Sequence, residues 1–222
     1  MTVRILLVVC LAVAAVLTPL FASYRKDIDA IFVINLKTRQ DRYQHMLEQE
    51  QKVGRQFDYL DAVEAHDHTA HDRINDHQIA CWRSHMEALN AFLDTRNLTS
   101  VILEDDVVFE EDAFGKFREM VLPWRWDMIY LGECNDYKHP EVTRPDGTFH
   151  IYKSRYPGCT QAYMVNRQGA HKLLRLLNSV TEPIDETIIH AVMRGDIHAY
   201  GVFPNLVNQD NSFGTDVPTT LG

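Results

Sequence analysis

Three consecutive carboxylates, Glu104-Asp105-Asp106, follow three aliphatic residues, Val101-Ile102-Leu103. The aliphatic run suits a buried strand. A buried strand that ends in acids delivers negative charge to the carboxyl edge of a sheet, where open α/β sheets bind their ligands. Repulsion among three acids at one point is relieved most directly by a divalent cation with oxygen ligands, and a cation held there could in turn hold a diphosphate. The triplet alone leaves a solvated acidic turn equally open. A second cluster, His66, His68, His71 and His77, contains the His-x-His spacing that suits a transition metal. A metal-binding protein or metallohydrolase built on it would leave the acids at 104–106 without a role. Asp67, Asp72 and Asp76 give the histidine stretch the composition of solvated surface.

The elements that must position these groups follow from apolar periodicity. Residues 30–36 (Ala-Ile-Phe-Val-Ile-Asn-Leu) are a short β-branched run, expected as a buried strand. A helix is expected next, capped by Thr38 and running to about residue 51, with Tyr43, Met46 and Leu47 on one face. Residues 57–63 suit a second strand. In 78–93, Ile79, Trp82, Met86, Leu89 and Phe92 recur at helical spacing. The strand at 101–103, its acids, a helix over 112–121 and a strand over 126–132 come next. Residues 133–159 are expected to form a long irregular loop with a turn at Pro145-Asp146-Gly147. Strand character resumes at 161–165 and a helix follows over 168–177. A further helix opens at Pro183 and is ended by Gly195, before a last strand at 198–203 and an irregular tail. Strands alternating with helices predict an α/β fold: one domain with a mainly parallel sheet covered on both faces.

With 222 residues the chain is long enough for one such domain. Its net charge of −9 argues against a nucleic-acid surface. Residues 5–17 are unbroken apolar sequence, extended by Thr18-Pro19-Leu20-Phe21-Ala22 and flanked by Arg4, Arg25 and Lys26. This segment is at the lower limit for a membrane-spanning helix and also fits a signal-peptide core. A small-x-small cleavage site is poorly formed, so residues 1–26 are expected to be an uncleaved signal anchor, with a cleaved signal peptide as the alternative, and 27–222 the functional domain. Localisation in a eukaryote would then be the secretory-pathway membrane, Golgi or ER, with the domain in the lumen in a single-pass type II arrangement. In other cells the protein would be membrane-associated. In an oxidising lumen Cys134 and Cys159 could close the loop between them, although three unpaired thiols with Cys81 remain an alternative. Asn97-Leu98-Thr99 is a glycosylation sequon between a helix and a strand.

Six stretches carry a family resemblance when taken in order. They are Phe32-Val33-Ile34-Asn35-Leu36 with Arg39 and Arg42; Gln78-Ile79-Ala80-Cys81-Trp82-Arg83-Ser84-His85; Ile102-Leu103-Glu104-Asp105-Asp106; Gly158 to Leu174, with Ala162-Tyr163-Met164 and Gly169-Ala170; Pro183-Ile184-Asp185; and Pro204-Asn205-Leu206-Val207-Asn208-Gln209. Spanning about residues 30 to 216, they resemble glycosyltransferase family 25, which includes bacterial lipooligosaccharide galactosyltransferases and the collagen galactosyltransferases. The resemblance implies a GT-A type, Rossmann-like fold, a nucleotide-sugar donor, a divalent metal such as Mn2+, and inversion at the sugar carbon.

It also implies roles. Glu104 and Asp106 would be the metal ligands, with Asp106 the firmer. Asp105 would hold the donor ribose or support the ligands from behind, since adjacent side chains on an extended segment point apart. Asn35, Arg39 and Arg42 would contact the uracil, ribose or phosphates of the donor, although a solvated helix face would also account for the arginines. Ser84 and His85 would bind a phosphate or fix the acidic loop. Asp185 would deprotonate the acceptor hydroxyl, with Glu186 as the alternative; an acid in a first helical turn is also favoured by the helix dipole alone. Gln209 would approach the metal or the pyrophosphate. The expected donor is UDP-galactose or UDP-glucose, and the acceptor a glycan, glycolipid or protein hydroxyl. The competing class is a non-catalytic relative that binds glycans or a partner.

Overall fold

The computed structural model describes residues 27–65, 74–136, 142, 144, 146–214 and 216. A seven-stranded sheet forms its centre: β1 (Ala30–Asn35), β2 (Asp58–Asp61), β3 (Thr99–Glu104), β5 (Met128–Gly132), β6 (His150–Lys153), β7 (Ala162–Asn166) and β8 (Ala199–Phe203). The spatial order is β2-β1-β3-β7-β5-β8-β6. β1, β2, β3, β5 and β8 run one way, while β6 and β7 run the other. The sheet is therefore mostly parallel, as expected, with one antiparallel strand inserted near its middle and another on its edge.

Helices cover both faces. Helix α1 (Gln40–Val53) and the short α3 (Ala113–Glu119) lie on one side, where Met46, Phe114 and Phe117 pack with Ile31, Val33, Val101 and Leu103. The other face carries α2 (Asp76–Asp94), α4 (Arg167–Leu176) and α5 (Ile184–Arg194), whose Trp82, Leu89, Leu173 and Ile188 meet Phe32, Ile102, Tyr130 and Tyr163. Alternate residues of β1 and β3 serve opposite cores, as a strand's two-residue period requires. That explains why residues 30–34 and 101–103 are apolar without a break.

Local signals set the helix ends. Asn75 and Gln78 form a reciprocal capping box at the start of α2. The Asn166 side chain accepts from the Gly169 amide at the start of α4. Gly195 ends α5 with φ +80°, in the left-handed region. At α1 the expected cap is displaced: Arg39, not Thr38, occupies the N-cap position, and no side chain caps the helix. The Arg39 guanidinium is instead drawn to acids nearby.

Three strands were not expected. β6 forms inside the 133–159 segment and pairs antiparallel with β8. Beside the main sheet, β4 (Val107–Phe109) pairs antiparallel with β9 (Val207–Gln209), within the tail expected to be irregular. Each of these strands has only three or four residues, too few for alternation to stand out. Cys134 and Cys159 form a disulfide with Cα atoms 5.8 Å apart, closing the loop, and Cys81 is free. Thr99 of the sequon is buried, its hydroxyl donating to the Asp27 carbonyl at 2.5 Å.

Among the described residues no helix is long and apolar enough to cross a membrane. The apolar N-terminal segment lies outside them, as do His66, His68 and His71, and Tyr137 and His139 of the long loop.

Candidate active site

The acids lie where β3 leaves the sheet. Antiparallel pairing brings the amino end of β7 to the same edge, and the Glu104 amide donates to the Gln161 carbonyl at 2.9 Å. The preceding residue, Thr160, thereby reaches Glu104 and donates to its Oε1 at 2.8 Å. β9 closes the edge from the other side. Val107 lies opposite Gln209 in its register, the Asp210 amide donates to the Asp106 carbonyl at 2.7 Å, and Gln209 Nε2 donates to Asp106 Oδ2 at 3.0 Å. This approach demands a glycine at 132: a Cβ there would lie 1.9 Å from the Val207 carbonyl oxygen.

The three carboxylates are held in three different ways. Both oxygens of buried Asp105 are matched, Oδ2 by Asn35 Nδ2 at 2.7 Å and Oδ1 by Arg42 Nη1 at 2.7 Å. Asp106 is as buried, but its Oδ1 is enclosed without a hydrogen-bond partner among the described residues. Its Oδ2 has Gln209 and, at 3.3 Å, Arg42 Nη1. Burial pushes the Asp106 carboxyl up to about 6, and the charge of Glu104 adds to the effect against the pull of Gln209 and Arg42. Glu104 behaves oppositely: burial favours its neutral form, but hydrogen bonds from His85 and Thr160 and the charge of Arg42 hold it below the usual range.

His85 is fully enclosed, with Nε2 3.3 Å from Glu104 Oε1 and Nδ1 3.2 Å from the Tyr163 hydroxyl. Because Glu104 faces Nε2, we assign the proton of a neutral ring to Nε2, which leaves Nδ1 to accept from the Tyr163 hydroxyl. Arg42 lies at the centre of the charges. Besides Asp105 and Asp106 it meets the Gly214 carbonyl through Nη2 at 2.7 Å and Asp216 at 3.4 Å, while its Nε is buried without a partner among the described residues.

Two adjoining cavities open on this edge. One, of about 110 Å³, has walls of Ile34, Leu36, Ala62, Val63 and Ala80, with Arg42 and Asp105 also lining it. The other, of about 240 Å³, is lined by Asp106, Thr160, Gln161, Asp185 and Gln209. Glu104, Arg42, Cys81 and Asp216 border both. A mainly apolar slot next to a chamber lined by acids and amides, with a cation between them, suits a ligand with an aromatic end, an anionic middle and a hydroxyl-rich end.

A family model described as "Glycosyltransferase family 25 (LPS biosynthesis protein)" matches residues 28–188. The chain belongs to glycosyltransferase family 25. The match takes in every expected site residue except Gln209. Procollagen galactosyltransferase 1 of Danio rerio is 27% identical over 223 residues, covering 81% of this chain and 36% of that protein. A Bos taurus protein named "Probable inactive glycosyltransferase 25 family member 3" is 28% identical, covering 66% of this chain and 28% of that one. The chain thus spans about a third of the length of these relatives. Among solved structures, a glycosyltransferase involved in glycosylation of the major capsid of PBCV-1 aligns with a TM-score of 0.34 and 13% identity, over 72% of this chain and 74% of that one.

The family-25 residues expected to act together divide into three groups. Asn35, Arg42, Asp105, Asp106 and Gln209 are joined by direct hydrogen bonds or ion pairs, and His85 and Glu104 form a second bonded pair beside them. Asp185, second residue of α5, faces them from the rim of the larger cavity and accepts from the Glu186 amide at 3.0 Å. Arg39 and Ser84 make no direct bond to the three acids: Ser84 lines the smaller cavity, and Arg39 reaches the network only through Asp216. Arg39 holds Asp41, the Phe213 carbonyl and Asp216, and borders neither cavity. The Ser84 hydroxyl donates to the Ala80 carbonyl and accepts from the Val63 amide, fixing the chain after β2. Thr160, Tyr163 and Asp216 belong to the network without having been assigned a role in it. Tyr163 stood within a quoted motif. Thr160 lies within the Gly158–Leu174 stretch but, like Asp216, carries no signal of its own, since each reaches the site only through long-range contacts.

Proposed function

We propose that this chain is an inverting, metal-dependent glycosyltransferase that moves a hexose, galactose in the first instance, from a UDP-sugar to a hydroxyl acceptor. The observation that carries the proposal is the unmatched Oδ1 of Asp106, a buried anionic oxygen bordering the same cavity as Glu104 and Asp185. An enclosed carboxylate oxygen without a donor is a natural ligand for a hard cation, so the residues present fit the metal. Asp106 and Glu104 would hold it, and a bound Mn2+ would supply Lewis acidity to the departing diphosphate.

The chain's own residues account for the rest. The slot lined by Ile34, Leu36 and Val63 excludes water around the uracil. Arg42, bordering both cavities, offsets diphosphate charge from a position fixed by Asp105, and Asn35 holds Asp105 in turn. His85 and Thr160 keep Glu104 ionised and oriented. Asp185 faces the polar chamber and takes the proton of the attacking hydroxyl. The relative named a procollagen galactosyltransferase supports galactose as the sugar and a protein hydroxyl as the acceptor; a glycan or glycolipid hydroxyl fits the same chemistry. The Cys134–Cys159 disulfide supports folding in an oxidising compartment, with residues 1–26 as the membrane anchor of a catalytic domain over 27–222.

UDP release from UDP-galactose and UDP-glucose, with and without Mn2+ and beside Asp106→Ala, tests the proposal. We expect Mn2+-dependent release from UDP-galactose, reduced at least about 100-fold in the variant. The Bos taurus relative named as probably inactive motivates a second outcome. UDP binding without release from any sugar would refute the transferase and place the chain with non-catalytic members.

A further inference from the structure

Cys81 and His85 are four residues apart on α2 and so share one helix face. Glu104, from the end of β3, meets them there: a sulfur, a ring nitrogen and a carboxylate oxygen lie within 4.8 Å of one another. Glu104 Oε1 and His85 Nε2 are already 3.3 Å apart, close to the roughly 3.5 Å that separates ligand atoms around a small tetrahedral ion. Drawing Cys81 Sγ inward by about an ångström would complete three corners.

The donor set is not that of Mn2+ or Mg2+. Thiolate, imidazole and carboxylate together suit a borderline-soft ion, and three protein ligands beside an open cavity leave a fourth position free. A second observation points the same way. The far nitrogen of His85 is tied to the Tyr163 hydroxyl, and Glu104 is tied to Thr160. Metal-binding histidines and carboxylates carry outer hydrogen bonds of this kind. Cys81 and Glu104 border both cavities, so an ion can enter from either.

We propose that Cys81, His85 and Glu104 form a Zn2+ site, distinct from the hard-cation site at Asp106 and competing with it for Glu104. On binding, the thiol proton leaves to solvent. The imidazole proton moves from Nε2 to Nδ1, and Tyr163 turns from donor to acceptor. No residue is oxidised, and the fourth ligand is water. Zinc at this position withdraws Glu104 from the catalytic arrangement and blocks sugar transfer. The zinc site stands on geometry alone; only its inhibitory consequence rests on the function proposed above.

The test uses the full chain, reduced at Cys81, with Zn2+ titrated against a chromophoric chelator and Co2+ as an optical probe. We expect a thiolate-to-cobalt charge-transfer band that Zn2+ displaces. Cys81→Ser and Cys81→Ala should abolish the band, and Asp106→Asn should retain it. Tyr163→Phe should weaken Zn2+ by at least tenfold, as loss of an outer hydrogen bond does. No band, or a band that survives in a folded Cys81→Ser protein, would overturn the site. Micromolar Zn2+ should then stop UDP release by the wild type but not by Cys81→Ser. Because the optical assay contains no donor sugar, a zinc site without measurable transferase activity would refute the proposed function and leave the site standing.

Discussion

Asp106→Asn should stabilise the metal-free protein at neutral pH while destroying its response to Mn2+. The carboxyl group is raised from its ordinary 3.8 to about 6, a rise of about 2 units. Each unit is worth about 1.4 kcal/mol between the two protonation states. The sign follows from linkage: the folded state holds the proton more tightly, so the penalty is absent below the unfolded value, develops between about 4 and 6, and is complete above. That gives roughly 3 kcal/mol at pH 7.5 and about 1 kcal/mol at pH 4.5. Asparagine keeps the shape, accepts from Gln209 through its oxygen, and carries no charge to desolvate. Between half and all of the penalty should be recovered.

Urea unfolding in EDTA at the two pH values is the assay, because the difference between proteins cancels other titrating groups. The variant should exceed wild type by about 1.5–3 kcal/mol at pH 7.5 and by about 1 kcal/mol or less at pH 4.5. Saturating Mn2+ at pH 7.5 should close or reverse the gap by stabilising wild type alone. A variant less stable than wild type at pH 7.5 without metal would refute the reasoning. It would mean that Arg42 already stabilises the Asp106 charge, leaving nothing for a cation to relieve.

Further predictions concern the frame and the base. Asp185→Asn should lower transfer by at least about 100-fold while changing UDP affinity less than about twofold, in a kinetic assay paired with calorimetry. Removing the 25-residue-separated disulfide with Cys134→Ala and Cys159→Ala should cost about 3 kcal/mol in urea unfolding, chiefly by freeing the unfolded chain. Asn75→Ala breaks the capping box of α2 and should cost about 1 kcal/mol without altering UDP affinity. Gly132→Ala drives a methyl into the Val207 carbonyl and should both destabilise the fold and weaken Mn2+ binding, because it displaces the strand that presents Gln209.

The parts of this protein legible in its sequence are those governed by neighbours along the chain. Six consecutive buried residues in β1, and Trp82, Leu89 and Phe92 turned to one core, follow from periodicity alone. So does the arrival of Glu104–Asp106 at a sheet edge. Illegible were features made by pairing between distant segments. Nothing in Gln161-Ala162-Tyr163 announces an antiparallel strand between two parallel ones, yet that reversal delivers Thr160 to Glu104. The 133–159 segment looked irregular because β6 gains its order from β8, about 50 residues later. Thr38 had the right chemistry for a cap, but two acids claim Arg39 next to it and set the start of α1 one residue later.

Charge balance around Arg42 explains why one of three adjacent acids is the one suited to a cation. A single enclosed guanidinium meets Asp105 at 2.7 Å, Asp106 at 3.3 Å and Asp216 at 3.4 Å, so carboxylates exceed the positive charge available to them. The shortfall has to fall on the group with the weakest remaining support. Asp105 has Asn35 on its second oxygen, and Asp216, more exposed than the others, has Arg39 and solvent. Asp106 adds to its longer Arg42 contact only a neutral amide on the same oxygen, and its other oxygen has no partner among the described residues. Its carboxyl therefore rises while Glu104, backed by His85 and Thr160, falls. A divalent ion placed against Asp106 and Glu104 removes the excess at the point where it is concentrated, and the proton that competes for Asp106 is lost above about pH 6. Metal affinity should then be flat above neutrality and weaken by up to tenfold per unit below about pH 6, a profile that isothermal titration with Mn2+ can trace in the absence of any sugar.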